Sequence, residues 1–215
     1  MRRVTIIGTV HKTVGRANVS ELHAILETVK PDVIFMEVPP GAFDVRFQIF
    51  RQPNLESDAV SQYRKGRMVA IVPVDLPTPD EEFFKNFARL HEKVKAENPR
   101  YEQLFALDND RVSTCGFMYL NSAHNDDLWE EIDKEMERTL GELGDSILDE
   151  IYESWVRTNA LREDAMLETI RSCCRNEFSE AVFLVGAAHR RKIIEKAHAI
   201  AENFGDPIQW SLPRL

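Results

Sequence analysis

Two short apolar runs, Val4-Thr5-Ile6-Ile7 and Val33-Ile34-Phe35-Met36, bracket a segment whose apolar residues recur at helical spacing. Val19, Leu22, Ile25, Leu26 and Val29 fall on one face of a helix predicted over Asn18 to Val29. Asn18 with Glu21 has the form of a capping box, and Pro31 ends the helix. Strand, helix, strand in so short a stretch is a βαβ unit, which commits the chain to a parallel sheet. Met68 to Val74 reads as a third strand, with Pro73 arguing against a central position. Ala181 to Val185 reads as a fourth, and Ile208-Gln209-Trp210, led into by Gly205-Asp206-Pro207, as an edge strand.

Between the third and fourth strands the chain is charged and helical. Thr78-Pro79-Asp80-Glu81 predicts a helix start with Thr78 as cap and Pro79 at the first helical position. Residues 126–143 and 145–175 predict two long amphipathic helices divided near Gly141 and Gly144. In the second, Ile147, Leu148, Ile151, Trp155, Leu161, Met166, Leu167 and Ile170 form a stripe expected to pack in the core. Ile193 to Phe204 predicts a last helix. The expected fold class is α/β: a small parallel or mixed sheet flanked by helices, with a large helical insertion before the last core strand. At 215 residues this is one domain over 1–215, with the insertion at about 79–178.

Composition narrows the partners. Lys plus Arg is 27 against 36 Asp plus Glu, a formal charge of −9, which argues against nucleic acid and anionic membrane surfaces. Three cysteines, two adjacent at Cys173-Cys174, make no disulfide framework. No apolar run reaches the ~18 residues of a membrane span, and Val4 to Ile7 is too short for a signal segment. The expectation is a soluble, cytoplasmic protein.

Ligands in open α/β sheets bind beyond the carboxyl ends of the strands. Those positions hold Gly8-Thr9-Val10-His11, Glu37, Asp75 and Gly186-Ala187-Ala188-His189. With 9 glycines and 6 histidines in 215 residues, about a quarter of one Gly-x-x-His match is expected by chance. Two are found, both after the clearest buried strands. A glycine there permits a tight turn, and the histidine then projects above the sheet edge. His11, Glu37 and His189 together are a His₂-carboxylate set able to hold a divalent ion (Mn, Zn, Co or Fe) that activates water. Alternatively, His11 and Glu37 act on water directly as base and orienter. The same histidines can instead cap helices or satisfy backbone groups, and Glu37 can pair with an arginine. His23 and His91, expected on solvated helix faces, His124 in a polar loop and His198 on the last helix are left out of the site.

Gly8-Thr9-Val10-His11, then Lys30-Pro31-Asp32-Val33-Ile34-Phe35-Met36-Glu37, and finally Val185-Gly186-Ala187-Ala188-His189 resemble the TraB/PrgY family. That family belongs to a broader group with Tiki metalloproteases, erythromycin esterases of the EreA type and ChaN-like haem-binding proteins. Val74-Asp75 and Arg162-Glu163-Asp164-Ala165-Met166 match it less sharply, and Val38-Pro39-Pro40 departs from the Leu and Asp usual after the glutamate. The resemblance implies that His11, Glu37 and His189 line one pocket. Arg162 or Asn159 would reach in from the long helix, the arginine to stabilise an oxyanion or bind a carboxylate. Within its own helix Arg162 has no carboxylate three or four residues away, so any partner comes from another element. Asp75 would stand behind the site or face substrate.

These readings make the chain a hydrolase, divalent-metal-assisted, acting on a peptide or ester bond of a small molecule or peptide. The alternative is a non-catalytic module binding haem or a short peptide. Nucleotide binding fares worse, since no second glycine follows Gly8 until Gly15. A cysteine nucleophile is disfavoured too: Cys115 is expected in a loop and Cys173-Cys174 late in a helix, neither tied to a histidine. The amphipathic insertion could pack within the chain or join two copies as a homo-oligomer.

Overall fold

The computed structural model describes residues 2–44, 49–51, 53–173, 178–204 and 208–215. Cys174, the last residues of the helix predicted to 175, and the Gly205-Asp206-Pro207 lead-in lie outside them. The sheet has five parallel strands in the order β5-β2-β6-β1-β7: β1 (Arg2–Thr9), β2 (Val33–Met36), β5 (Ala70–Pro73), β6 (Glu180–Gly186) and β7 (Ile208–Ser211). A two-residue antiparallel pair, β3 (Phe43–Asp44) and β4 (Ile49–Phe50), stands apart from it.

The first βαβ unit forms, but its strands are not neighbours. β6, whose Ala181 to Val185 are all buried, is inserted between β1 and β2 and pairs with both. A continuous apolar strand needs cover on both faces, and the middle of the sheet provides it. Pro73, with no N–H to donate, sits in β5, which occupies an edge.

Side chains alternate between two cores, as the pleat demands. Val4, Ile6, Phe35, Ala181, Phe183 and Val185 face α7 (Ser146–Cys173) and α8 (Ala187–Phe204). Ile7, Ile34, Met36, Val182 and Leu184 face α1 (Val19–Val29), α2 (Leu55–Tyr63), α3 (Glu81–Glu97), α4 (Pro99–Cys115), α5 (Phe117–Leu120) and α6 (Ala123–Leu143). Helices α3 to α7 fill the interval between β5 and β6. None of the helices, over the described residues, is long and apolar enough to cross a membrane.

Several boundaries move for local reasons. Asn18 caps α1 through the Glu21 N–H, but the Glu21 carboxylate turns to Arg16 (3.1 Å), so only half the capping box closes. Asp80, not Thr78, caps α3 by accepting from the Phe83 N–H at 2.8 Å. α8 begins at Ala187, directly after β6, which puts His189 in its first turn. His124 lies in the first turn of α6, and Cys115 ends α4 rather than sitting in a loop. In α7 the predicted stripe is too wide: Leu161 is 57% and Ile147 67% exposed. At 3.6 residues per turn Leu161 lies about 180° from Ile170, on the solvent face.

Gly8 is needed for close contact rather than for turn geometry: neither it nor Gly186 has a positive φ. Asn121 grips Gly8 from one side, accepting its N–H at 2.7 Å and donating to its carbonyl at 3.1 Å. A Cβ on Gly8 would stand 2.8 Å from the Leu120 carbonyl and 2.9 Å from Cδ of Arg190. That arginine is fully buried, paired with Asp126 and donating to the Asn121 carbonyl at 3.1 Å. We predict that Gly8→Ala lowers unfolding free energy by about 1–3 kcal/mol through overpacking. Gly141→Ala, in α6 with open space around its Cβ, should raise it by about 0.5–1 kcal/mol. Urea titrations of the two variants check both signs.

Candidate functional site

Because the five strands of the sheet are parallel, the carboxyl ends of β1, β2, β5 and β6 share one edge, and the residues following them meet there. His11 follows β1 and is fixed from α2. An Asn54/Ser57 capping box starts that helix, and the Leu55 N–H donates to the His11 carbonyl at 3.3 Å. Glu56, in the first turn, is thereby aimed inward, and its carboxylate is buried. One oxygen, Oε1, lies 3.0 Å from His11 Nδ1 and accepts from the Thr9 hydroxyl at 2.8 Å. The other, Oε2, is buried without a partner among the described residues. The Glu56 bond raises the His11 pKa above its ordinary 6.5, outweighing the opposite pull of desolvation.

His189 has the same arrangement on the next strand. Its Nδ1 lies 2.9 Å from Oε1 of Glu163, a buried carboxylate of α7, whose Oε2 pairs with Lys196 at 3.1 Å. A carboxylate only accepts, so both histidines carry the proton on Nδ1 and leave Nε2 without one when neutral. His189 Nε2 then faces Glu37 Oε1 at 3.6 Å.

Glu37, ending β2, is held from two sides. The Gly186 N–H donates to its Oε2 at 2.6 Å, and Arg162 Nη2 to its Oε1 at 2.7 Å. A Cβ on Gly186 would come within 3.2 Å of that carboxylate, so this glycine makes room for a side chain from the neighbouring strand. Arg162 also grips Asp75 with two bonds, Nε to Oδ1 at 3.0 Å and Nη2 to Oδ2 at 2.8 Å, and donates from Nη1 to Asn159 at 3.1 Å. Burial pulls the Arg162 pKa down, but Asp75 and Glu37 more than reverse this, so the guanidinium stays charged. Four of its five N–H groups are used, which makes it a positioning residue for Glu37 and Asp75 more than an oxyanion donor.

His11, Glu37, Asp75, Arg162 and His189 line one cleft of about 600 Å³, with Trp129, Trp155, Phe84 and Asp108 among its other walls. Asn159 touches it through Arg162. His23, His91, His124 and His198 do not line it. His91 is not solvated, however: it is half-buried, with Nδ1 2.9 Å from the Tyr101 hydroxyl and its ring against Phe105.

For a metal, the two imidazoles have the right preparation, since a carboxylate on Nδ1 fixes the tautomer and orients Nε2. The third donor does not fit: Glu37 is already engaged by Arg162 and by the Gly186 N–H. Among the described residues, no group of three or more His, Cys, Asp or Glu is placed to hold an ion.

The alternative for Glu37, pairing with an arginine, is also realised, while among the described residues neither histidine ring is used to satisfy backbone. Glu56 and Glu163 are the residues sequence reasoning missed. Glu163 carried a signal: with Met166, Leu167 and Ile170 it occupies the buried face of α7, where a carboxylate needs a partner. Glu56 lies in a helix that the apolar pattern did not reveal.

Arg162→Met leaves Glu37 and Asp75, each over 90% buried, without a counter-charge. We predict a loss of about 3–5 kcal/mol in unfolding free energy. Adding Glu37→Gln and Asp75→Asn should restore most of it, and a loss below about 1 kcal/mol in the single variant would contradict the arrangement. No family model, curated protein or solved structure matches the chain, so the chemistry of the cleft is read from its own atoms.

Proposed function

We propose that the protein is a hydrolase acting on a peptide or ester bond, with water activated in this cleft by His11. The observation that carries the reading is the doubled histidine–carboxylate pair. His11 and His189 each have Nδ1 within hydrogen-bond distance of a buried glutamate, at 3.0 and 2.9 Å, and both rings line the same cleft. A base oriented by a carboxylate is the arrangement that general-base catalysis requires. The resemblance to the TraB/PrgY family, carried by the same two histidines and Glu37, points the same way.

In this reading His11 Nε2 takes a proton from water, and the resulting hydroxide adds to the substrate carbonyl carbon. Glu56 stabilises the imidazolium so formed. Collapse of the tetrahedral intermediate expels the amine or alcohol, which receives the proton back from His11. His189, across from Glu37, holds the second polar position, and Arg162 with Asp75 keeps Glu37 in place.

The same pairs would also prepare Nε2 of His11 and His189 for a divalent ion, with Glu56 and Glu163 orienting the rings, although Glu37, held by Arg162 and the Gly186 N–H, is not free as a third ligand. Metal analysis of the purified protein, beside His11→Ala and His189→Ala, separates the two. Near-stoichiometric metal lost in both variants selects the ion, and activity undiminished by chelation selects the direct base.

The base must be neutral to act. Because Glu56 raises the His11 pKa, hydrolysis of a peptide or ester substrate should rise with pH through a midpoint above 6.5. Glu56→Gln should move that midpoint down and cut kcat by about 10²-fold or more. A folded His11→Ala protein that keeps the parent's activity would overturn the assignment.

A further inference from the structure

Asp108 lines the cleft but has no part in the chemistry above. Its Oδ1 accepts from two neutral donors, the Tyr119 hydroxyl at 2.9 Å and the Asn125 amide at 3.1 Å. Among the described residues it makes no ion pair; Arg111, whose charge acts on it, lies over the Tyr119 ring at 5.8 Å. Burial raises its pKa, against smaller downward pulls from Tyr119, Arg111 and Asn125. Arg162 cannot serve it, being held between Glu37 and Asp75. Among the described residues, three carboxylates and one guanidinium thus line the cleft, an excess of two negative charges when the imidazoles are neutral.

The lining of the same cleft includes an unused donor. Trp129 lies one turn beyond Asn125 on α6, and its indole Nε1 is buried with no hydrogen-bond partner among the described residues. A buried N–H without an acceptor is costly unless a ligand or water supplies one. Trp155 adds a fixed aromatic plane, stacked on Phe87 at 3.6 Å and 10° and on Phe83 at 5.4 Å and 18°. Phe84 is exposed at the same cleft. An unpaired carboxylate and aromatic faces together favour an organic cation over an anion.

We propose that the cleft takes substrates carrying a protonated amine, with Asp108 as its counter-charge and the Trp129 N–H donating to an adjacent carbonyl. The inference rests on the hydrolytic reading and names the class of substrate it would act on. Trp155 and Phe84 cover the apolar part of that substrate.

The test is equilibrium binding, followed by tryptophan fluorescence or ligand-observed NMR, of phenylalaninamide, N-acetylphenylalaninamide and 3-phenylpropionate. The first carries the ammonium, the second the same skeleton without charge, and the third an anion. In the parent, phenylalaninamide should bind about tenfold or more tighter than its acetylated form, and the propionate weakest. Asp108→Asn, which retains an oxygen for Tyr119 and Asn125, should abolish that preference while leaving the acetylated amide unchanged. Trp129→Phe should weaken both amides alike. Added salt should shrink the preference in the parent, a check that does not depend on any variant folding. Equal binding of the two amides, no binding of phenylalaninamide, or a preference surviving Asp108→Asn would overturn the proposal. His11→Ala separates the subsite from the chemistry, because it removes the base and keeps Asp108. An amine preference there, without hydrolysis in the parent, defeats the hydrolytic reading alone; hydrolysis without the preference defeats the subsite alone.

Discussion

A guanidinium between two buried carboxylates leaves water only because each charge finds its complement in a fixed place. Arg162 meets that condition between Glu37 and Asp75, and much of the cleft follows from it. The carboxylates come from the ends of β2 and β5, the arginine from α7, so the contact joins the sheet edge to the helical insertion. Buried ion pairs are weak sources of stability, so the trio is not what holds the fold together. What the trio supplies is position: Glu37 cannot swing away from His189 while Arg162 and the Gly186 N–H both hold it.

The two Gly-x-x-His motifs use their glycines differently. Gly8 admits Arg190 and the Leu120 carbonyl against β1, which seats α5 and α8; Gly186 admits the Glu37 carboxylate itself. In both cases the missing Cβ allows a close approach, and the histidine three residues on is then anchored by a glutamate from a helix. His11 remains on a loop and His189 enters a helix, yet each ends with Nδ1 on a buried carboxylate. Equivalent orientation from unlike backbones is a constraint on the side chain, which is where the chemistry needs it.

The strands and the residues at their ends were legible because they depend on local pattern. Continuous apolar runs marked β1, β2 and β6, and position after a run marked His11, Glu37, Asp75 and His189. Arg162 entered through the family resemblance alone; its lack of a carboxylate on its own helix said only that any partner would come from another element. Strand order was not legible, because the insertion of β6 between β1 and β2 is decided by which strand needs cover on both faces. Nor was Glu56, whose helix has a weak apolar stripe and whose partner is 45 residues away in sequence. Glu163 could have been found as a carboxylate on the buried face of α7, had that face been drawn without Leu161, which points to solvent.

Everything the cleft could do chemically depends on both histidines being held in one tautomer by their glutamates, with Nε2 turned toward the cleft. Nitrogen-15 NMR of the imidazole side chains, above the pH at which they lose their second proton, reads this directly. The account predicts that His11 and His189 both carry the proton on Nδ1, and that Glu56→Gln and Glu163→Gln each disturb only their own histidine. A proton on Nε2 of either ring, in the folded parent protein, would contradict it.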